Sequence, residues 1–240
     1  MVIYVIVFDI VRGIFMNKKK PIIGILPTSN YLQTDDPFKD TYRYGNNYIK
    51  RIVDNGGIPY LIPYVNDEVV PDTLDICDGL LLPGGNRVLK VNFDVIDHFY
   101  KNNKPMLGIC LGMQTLAMYS VNIEEYNKRI IKTIDNGVNH WPIELSRDNV
   151  SCLAHKVLLE KDTKLYDVFK VNEMEVNSIH KCTVTEVGSK FKVSIKSSDG
   201  LIEGIEYNGD DKYIIGVQFH PEVLDQYNNI FKEFISKCKS

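Results

Sequence analysis

Cys110 lies in the stretch Gly108-Ile109-Cys110-Leu111-Gly112, between an apolar run that reads as a strand and a segment that reads as a helix. A sharp strand-to-helix turn projects its central side chain, and flanking glycines relieve crowding around a strained residue. The partial positive charge at the start of the following helix favours a thiolate, the attacking form of cysteine. The Leu111 N–H points into the same space, where it could stabilise an oxyanion. Downstream, Gly216-Val217-Gln218-Phe219-His220-Pro221-Glu222 ends an apolar strand on a histidine, with a carboxylate two residues later. His220 there could serve as acid and base, with Glu222 fixing its tautomer. Leu82-Pro83-Gly84-Gly85-Asn86 carries a strand into a diglycine, whose backbone N–H groups near Gly85 suit an oxyanion site. Each piece alone has a plainer reading: a buried thiol, a core histidine, an ordinary turn.

The elements that must position these residues are short apolar runs alternating with amphipathic stretches. Strands are expected at Pro21–Thr28, Ile58–Tyr64, Gly79–Pro83 and Pro105–Ile109. Helices are expected around Tyr44–Val53, over Asp67–Ile76, around Phe93–Tyr100 and over Leu111–Tyr119. Such alternation implies right-handed βαβ units on a parallel sheet. The second half is richer in strand signals, at Lys156–Leu159, Phe191–Ile195, Ile202–Tyr207 and Tyr213–Phe219, before a last helix with Tyr227, Ile230, Phe231, Phe234 and Ile235 on one face. The pattern is an α/β fold with a mostly parallel sheet, helices on both faces and an antiparallel extension.

The chain has 240 residues, 44% hydrophobic and 25% charged, which excludes collagenous and disordered classes. Its net charge of −3 gives no electrostatic footprint for nucleic acid. Five cysteines without a CxxC pair argue against a disulfide framework or zinc knuckle and fit a cytoplasmic protein. Residues 1–15 are apolar but carry Asp9 and Arg12, and they fall short of the roughly 20 residues of a membrane span. They are expected to be an extension or a short extra strand, without signal-peptide features, ahead of a single domain at 16–240.

Taken together, Leu82–Gly85 (LPGG), Leu107–Gln114 (LGICLGMQ) and Gly216–Glu222 (GVQFHPE) resemble the class I glutamine amidotransferase-like superfamily. Within it the chain looks most like peptidase family C26, the branch that includes γ-glutamyl-γ-aminobutyrate hydrolase. Further matches are PIIGI near the start, GGIPYLIP at Gly56–Pro63, VNSIH at Val176–His180 and SDGLIEGIE at Ser198–Glu206. The resemblance implies a flavodoxin-like three-layer sandwich with a small antiparallel extension, and a Cys110–His220–Glu222 triad. It also implies an oxyanion hole at the Gly85 and Leu111 backbone, no metal or organic cofactor, and a small-molecule γ-glutamyl substrate. Neither a nucleic acid nor a membrane partner is implied, while a homodimer is compatible. Gln114, Asn177, Ser178 and His180 fall where substrate-binding residues are expected. Departures occur at Leu111, where the branch carries Arg, at His180-Lys181 in place of two histidines, and across Val121–Asp148. These regions shape the substrate pocket, so the reaction class is better specified than the amine leaving group.

Among the other histidines, His155 reads as structural, and His98 and His140 as surface or local structure. Trp141 reads as a core anchor. Tyr42, Tyr44 and Tyr48 read as helix packing, with the substrate side as the alternative. Three functions compete: a free-standing γ-glutamyl hydrolase, a glutaminase subunit feeding ammonia to a synthase partner, and a non-catalytic module on the same fold. The NSIH and SDGLIEGIE matches favour the first.

Overall fold

The computed structural model describes residues 19–27, 29–31, 41–122, 130–134, 140 and 151–239. The 1–15 extension, Trp141 and most of Val121–Asp148 lie outside these residues. In chain order the elements begin β1 (Ile22–Ile25), β2 (Ser29–Tyr31), β3 (Thr41–Arg43), α1 (Asn46–Asp54), β4 (Ile58–Leu61), α2 (Asp72–Asp75) and β5 (Gly79–Leu82). Next come α3 (Lys90–Lys101), β6 (Met106–Ile109), α4 (Leu111–Ser120), β7 (Ile131–Thr133), β8 (His155–Leu159) and α5 (Lys164–Phe169). The chain closes with β9 (Glu173–Val176), β10 (Cys182–Val184), β11 (Phe191–Ser197), β12 (Ile202–Tyr207), β13 (Ile214–Val217) and α6 (Asn229–Lys237).

Eleven of these strands form one open sheet, in the order β4-β1-β5-β6-β13-β12-β11-β8-β9, with β10 and β7 joined through β12. The run β4-β1-β5-β6-β13 is parallel. Beyond β13 every pairing is antiparallel. This is the expected α/β arrangement, with an extension broader than its sequence signals, because β7, β9 and β10 are short and mostly lie at the sheet's margin. The helix expected over Asp67–Ile76 shrinks to α2, because Asn66 and Asp67 take positive φ and Val65 bridges back to Glu68.

The parallel strands are buried on both faces, which is why they read as unbroken apolar runs rather than alternating ones. One face packs Ile23, Leu81, Leu107 and Ile215 against α1 and α6. The other packs Leu80, Leu82, Met106 and Ile214 against α3 and α4. Pairing of Leu82 with Gly108, and of Val217 with Ile109, aligns the C-terminal ends of β5, β6 and β13. The diglycine, Cys110 and His220 therefore emerge at one edge of the sheet.

Helix α4 approaches β5 closely enough that a Cβ on Gly112 would sit 2.1 Å from the Leu82 carbonyl oxygen. Because that contact is backbone, the helix itself would have to move. Gly112→Ala is expected to destabilise the fold by about 2–3 kcal/mol, at the upper end for overpacking. A urea unfolding midpoint equal to that of the unaltered chain would contradict this packing.

Candidate active site

Cys110 joins β6 to α4 with φ 53° and ψ −107°, a backbone conformation that non-glycine residues seldom hold. The chain on either side holds it there. Its N–H donates to the Val217 carbonyl at 2.8 Å, and its carbonyl accepts from Gln114 N–H at 3.1 Å. The side chain is nearly buried at the N-terminus of α4. Neither the Leu111 nor the Gly85 N–H has a hydrogen-bond partner among the described residues.

His220 leaves β13 three residues past Val217 and opens the 3₁₀ turn Pro221–Val223. Its Nδ1 lies 2.7 Å from Glu222 Oε1, and Cys110 is its other electrostatic partner. Asn177 clamps the His220 backbone from both sides, accepting from its N–H at 2.9 Å and donating to its carbonyl at 3.0 Å. The buried Arg51 donates through Nε to the Glu222 carbonyl at 3.0 Å and pairs with Asp225 at 2.8 Å. Tyr48 completes the wall. Its hydroxyl accepts from Gly84 N–H at 3.0 Å and faces Glu222. A Cβ at Gly84 would meet His220 Cε1 at 2.8 Å, so only glycine lets β5 run this close to the imidazole.

Burial disfavours the His220 imidazolium, but the adjoining Glu222 and Cys110 charges outweigh it and hold its pKa well above the ordinary value. Such a group adds stability below its unfolded pKa of about 6.5, and that stability is lost as pH rises through the folded pKa. For a thiolate–imidazolium pair, the alkaline limb of kcat/KM is therefore expected well above pH 6.5. Glu222→Gln should move that limb down, because the raising carboxylate is gone. An alkaline limb near 6.5, or one that Glu222→Gln leaves in place, would contradict this electrostatic arrangement.

The residues expected to bind substrate behave differently. Gln114, Asn177, Ser178 and His180 are all buried, with their polar atoms on protein partners. Gln114 bonds Gln218 Oε1 at 3.0 Å, Ser178 bonds the His140 carbonyl at 2.7 Å, and Asn177 holds His220. His140, read from sequence as surface or local structure, is instead buried beside His155, His180 and Glu203. There the three imidazoles outweigh burial and hold the Glu203 carboxyl well below the usual range. His98 is local structure, 3.1 Å from Asp75. Tyr48, read by default as helix packing with the substrate side as the alternative, faces the site, and Arg51 is a site residue that the sequence reading does not name. The available hint was polar groups on the inward face of α1, beside Ile52.

A cleft of about 580 Å³, lined by Asp78, Lys164, Lys212 and Glu233 among others, opens at the opposite edge of the sheet. Open α/β sheets carry chemistry at their C-terminal edge, where Cys110 and His220 lie. The family model described as Peptidase C26 matches residues 21–93 and 90–222. The chain belongs to the peptidase C26 family. A glutamine amidotransferase-like protein of Rickettsia prowazekii is 28% identical, covering 92% of this chain and 99% of its own length. The CTP synthase of Thermotoga maritima is 30% identical over 80% of this chain, which spans only 41% of that enzyme. The glutaminase domain of a Trypanosoma brucei CTP synthase, solved with bound acivicin, superposes with a TM-score of 0.64 at 19% identity, covering 91% of this chain and 93% of that one. This C26 chain is thus an amide hydrolase of the glutamine amidotransferase-like class. No helix among its described residues is long and apolar enough to cross a membrane.

Proposed function

We propose that the chain is a cysteine-dependent hydrolase that cleaves the γ-glutamyl amide bond of a small molecule, releasing glutamate and an amine. The observation that carries this reading is the Cys110 elbow, held at positive φ against the His220–Glu222 pair. Cys110 attacks the γ-carbonyl, and the free N–H groups of Gly85 and Leu111 receive the developing oxyanion. His220 protonates the departing amine, leaving a γ-glutamyl thioester. It then takes a proton from water, which releases glutamate and restores the thiol. Glu222 orients the imidazole and balances its charge. The activity resides in one domain over 16–240, and the free cysteines suit a reducing, cytoplasmic setting.

The CTP synthase relatives favour one second reading, a glutaminase that supplies ammonia to a separate synthase. The test is glutamate release by the purified chain from glutamine, γ-glutamyl-aminobutyrate, γ-glutamyl peptides and poly-γ-glutamates. The hydrolase reading expects turnover of a γ-glutamyl amine or peptide without any partner. Turnover of glutamine alone, and only with an added synthase, would favour the second reading. No glutamate from any substrate would overturn both.

A further inference from the structure

Three imidazoles surround one buried carboxylate on β12. Glu203 of β12 is wholly buried, and its Oε1 lies 3.4 Å from His140 Nδ1, 3.4 Å from His155 Nε2 and 3.3 Å from His180 Nε2. His140 Nδ1 and His180 Nε2 are themselves 3.3 Å apart. These separations exceed the roughly 2.7–2.9 Å of charge-assisted hydrogen bonds. Neither Glu203 oxygen, and neither ring nitrogen of His155, makes a hydrogen bond of normal geometry among the described residues. A buried carboxylate left in that condition is costly.

The spacing matches a different kind of contact. Zinc bound to imidazole nitrogen and carboxylate oxygen at about 2.0–2.1 Å places tetrahedral ligands about 3.3–3.4 Å apart. The ligand atoms of His140, His155 and Glu203 all lie within 4.8 Å of one another. The outer nitrogens of two imidazoles are also engaged: His140 Nε2 lies 3.1 Å from Asp199 Oδ2, and His180 Nδ1 lies 3.0 Å from the Cys182 carbonyl. Both acceptors place a proton on the outer nitrogen, which leaves the inner nitrogen available to a metal, as a metal-binding imidazole requires.

We propose that His140, His155 and Glu203 form a site for a divalent transition ion, zinc above all, with His180 packed against Glu203 and His140. Two imidazoles and one carboxylate suit zinc better than the oxygen-seeking magnesium or calcium. The site uses neither Cys110 nor His220, so its role is separate from the thiol chemistry. The ion would tie β8 to β12 beside the loop that carries Asn177, the clamp on His220.

The test uses the full untagged chain, with metal content measured after purification and Zn²⁺ added back to chelator-treated protein. About one zinc per chain is expected, with a melting temperature that falls on stripping and recovers by about 5 °C or more on adding Zn²⁺. Glu203→Gln and His155→Gln should each weaken Zn²⁺ binding at least about 100-fold, beyond the effect of outer-shell changes. Cys110→Ala should keep the ion, which separates this site from the thiol. Less than about 0.1 zinc per folded chain with no thermal response to Zn²⁺ would overturn the proposal, since the cluster would then be held by a shared proton. Undiminished binding by folded Glu203→Gln, or loss of the ion in Cys110→Ala, would overturn it equally. The wild-type titration decides the matter even if the ligand variants do not fold.

Discussion

Cys110→Ala is expected to lower kcat for γ-glutamyl hydrolysis by several orders of magnitude while leaving the domain folded. The substitution removes only the sulfur, and alanine meets no greater strain at φ 53° than cysteine does. No other thiol is placed to substitute for it. Cys77 and Cys238 are buried and donate to helix carbonyls, and burial pushes the Cys77 thiol up to about 11. Cys152 is exposed, and Cys182 belongs to β10 beneath the site. Their replacement by serine or alanine should leave turnover largely intact. The check is steady-state glutamate release alongside circular dichroism. Near-normal turnover by folded Cys110→Ala would remove this residue from the mechanism.

The second large effect is expected at the histidine. His220→Ala removes both proton transfers and should cost at least the roughly 10²–10⁴-fold that general acid–base catalysis supplies. Glu222→Gln should be milder, because an amide oxygen can still accept from Nδ1 at the observed 2.7 Å spacing but cannot offset the imidazolium charge. Its backbone anchor to Arg51 survives the change, since that bond uses the Glu222 carbonyl. Measuring kcat/KM for both variants on one γ-glutamyl substrate separates the roles. A loss for Glu222→Gln exceeding that for His220→Ala would show the roles reversed, and His220→Ala within a few-fold of the unaltered enzyme would refute the triad.

Local signals account for what was legible in the chain. The Gly-X-Cys-X-Gly stretch is readable because α4 packs so closely on Leu82 that position 112 admits only glycine, and that requirement marks the sequence. The parallel strands are readable because burial on both faces leaves unbroken apolar runs. The His220–Glu222 pair is readable because two residues span the turn that joins them. What escaped depends on long-range contact. The segment β9 (EMEV) buries only Val176, so only pairing with β8 makes it a strand. His140 lies far in sequence from Glu203, and nothing local to either announces that they meet. Asn177, Ser178 and His180 are buried, and motif identity alone carries no orientation. Tyr48 and Arg51 serve the site from a helix whose pattern signals only packing.

The central claim is that Cys110 is the nucleophile toward a γ-glutamyl carbonyl. Its most direct measurement is labelling by a chloroketone analogue of glutamine, followed by intact-mass analysis and peptide mapping. The account predicts one adduct per chain, on Cys110, with activity lost in proportion and labelling slowed by excess γ-glutamyl substrate. Adducts confined to other residues, or full activity in a chain quantitatively modified at Cys110, would contradict it.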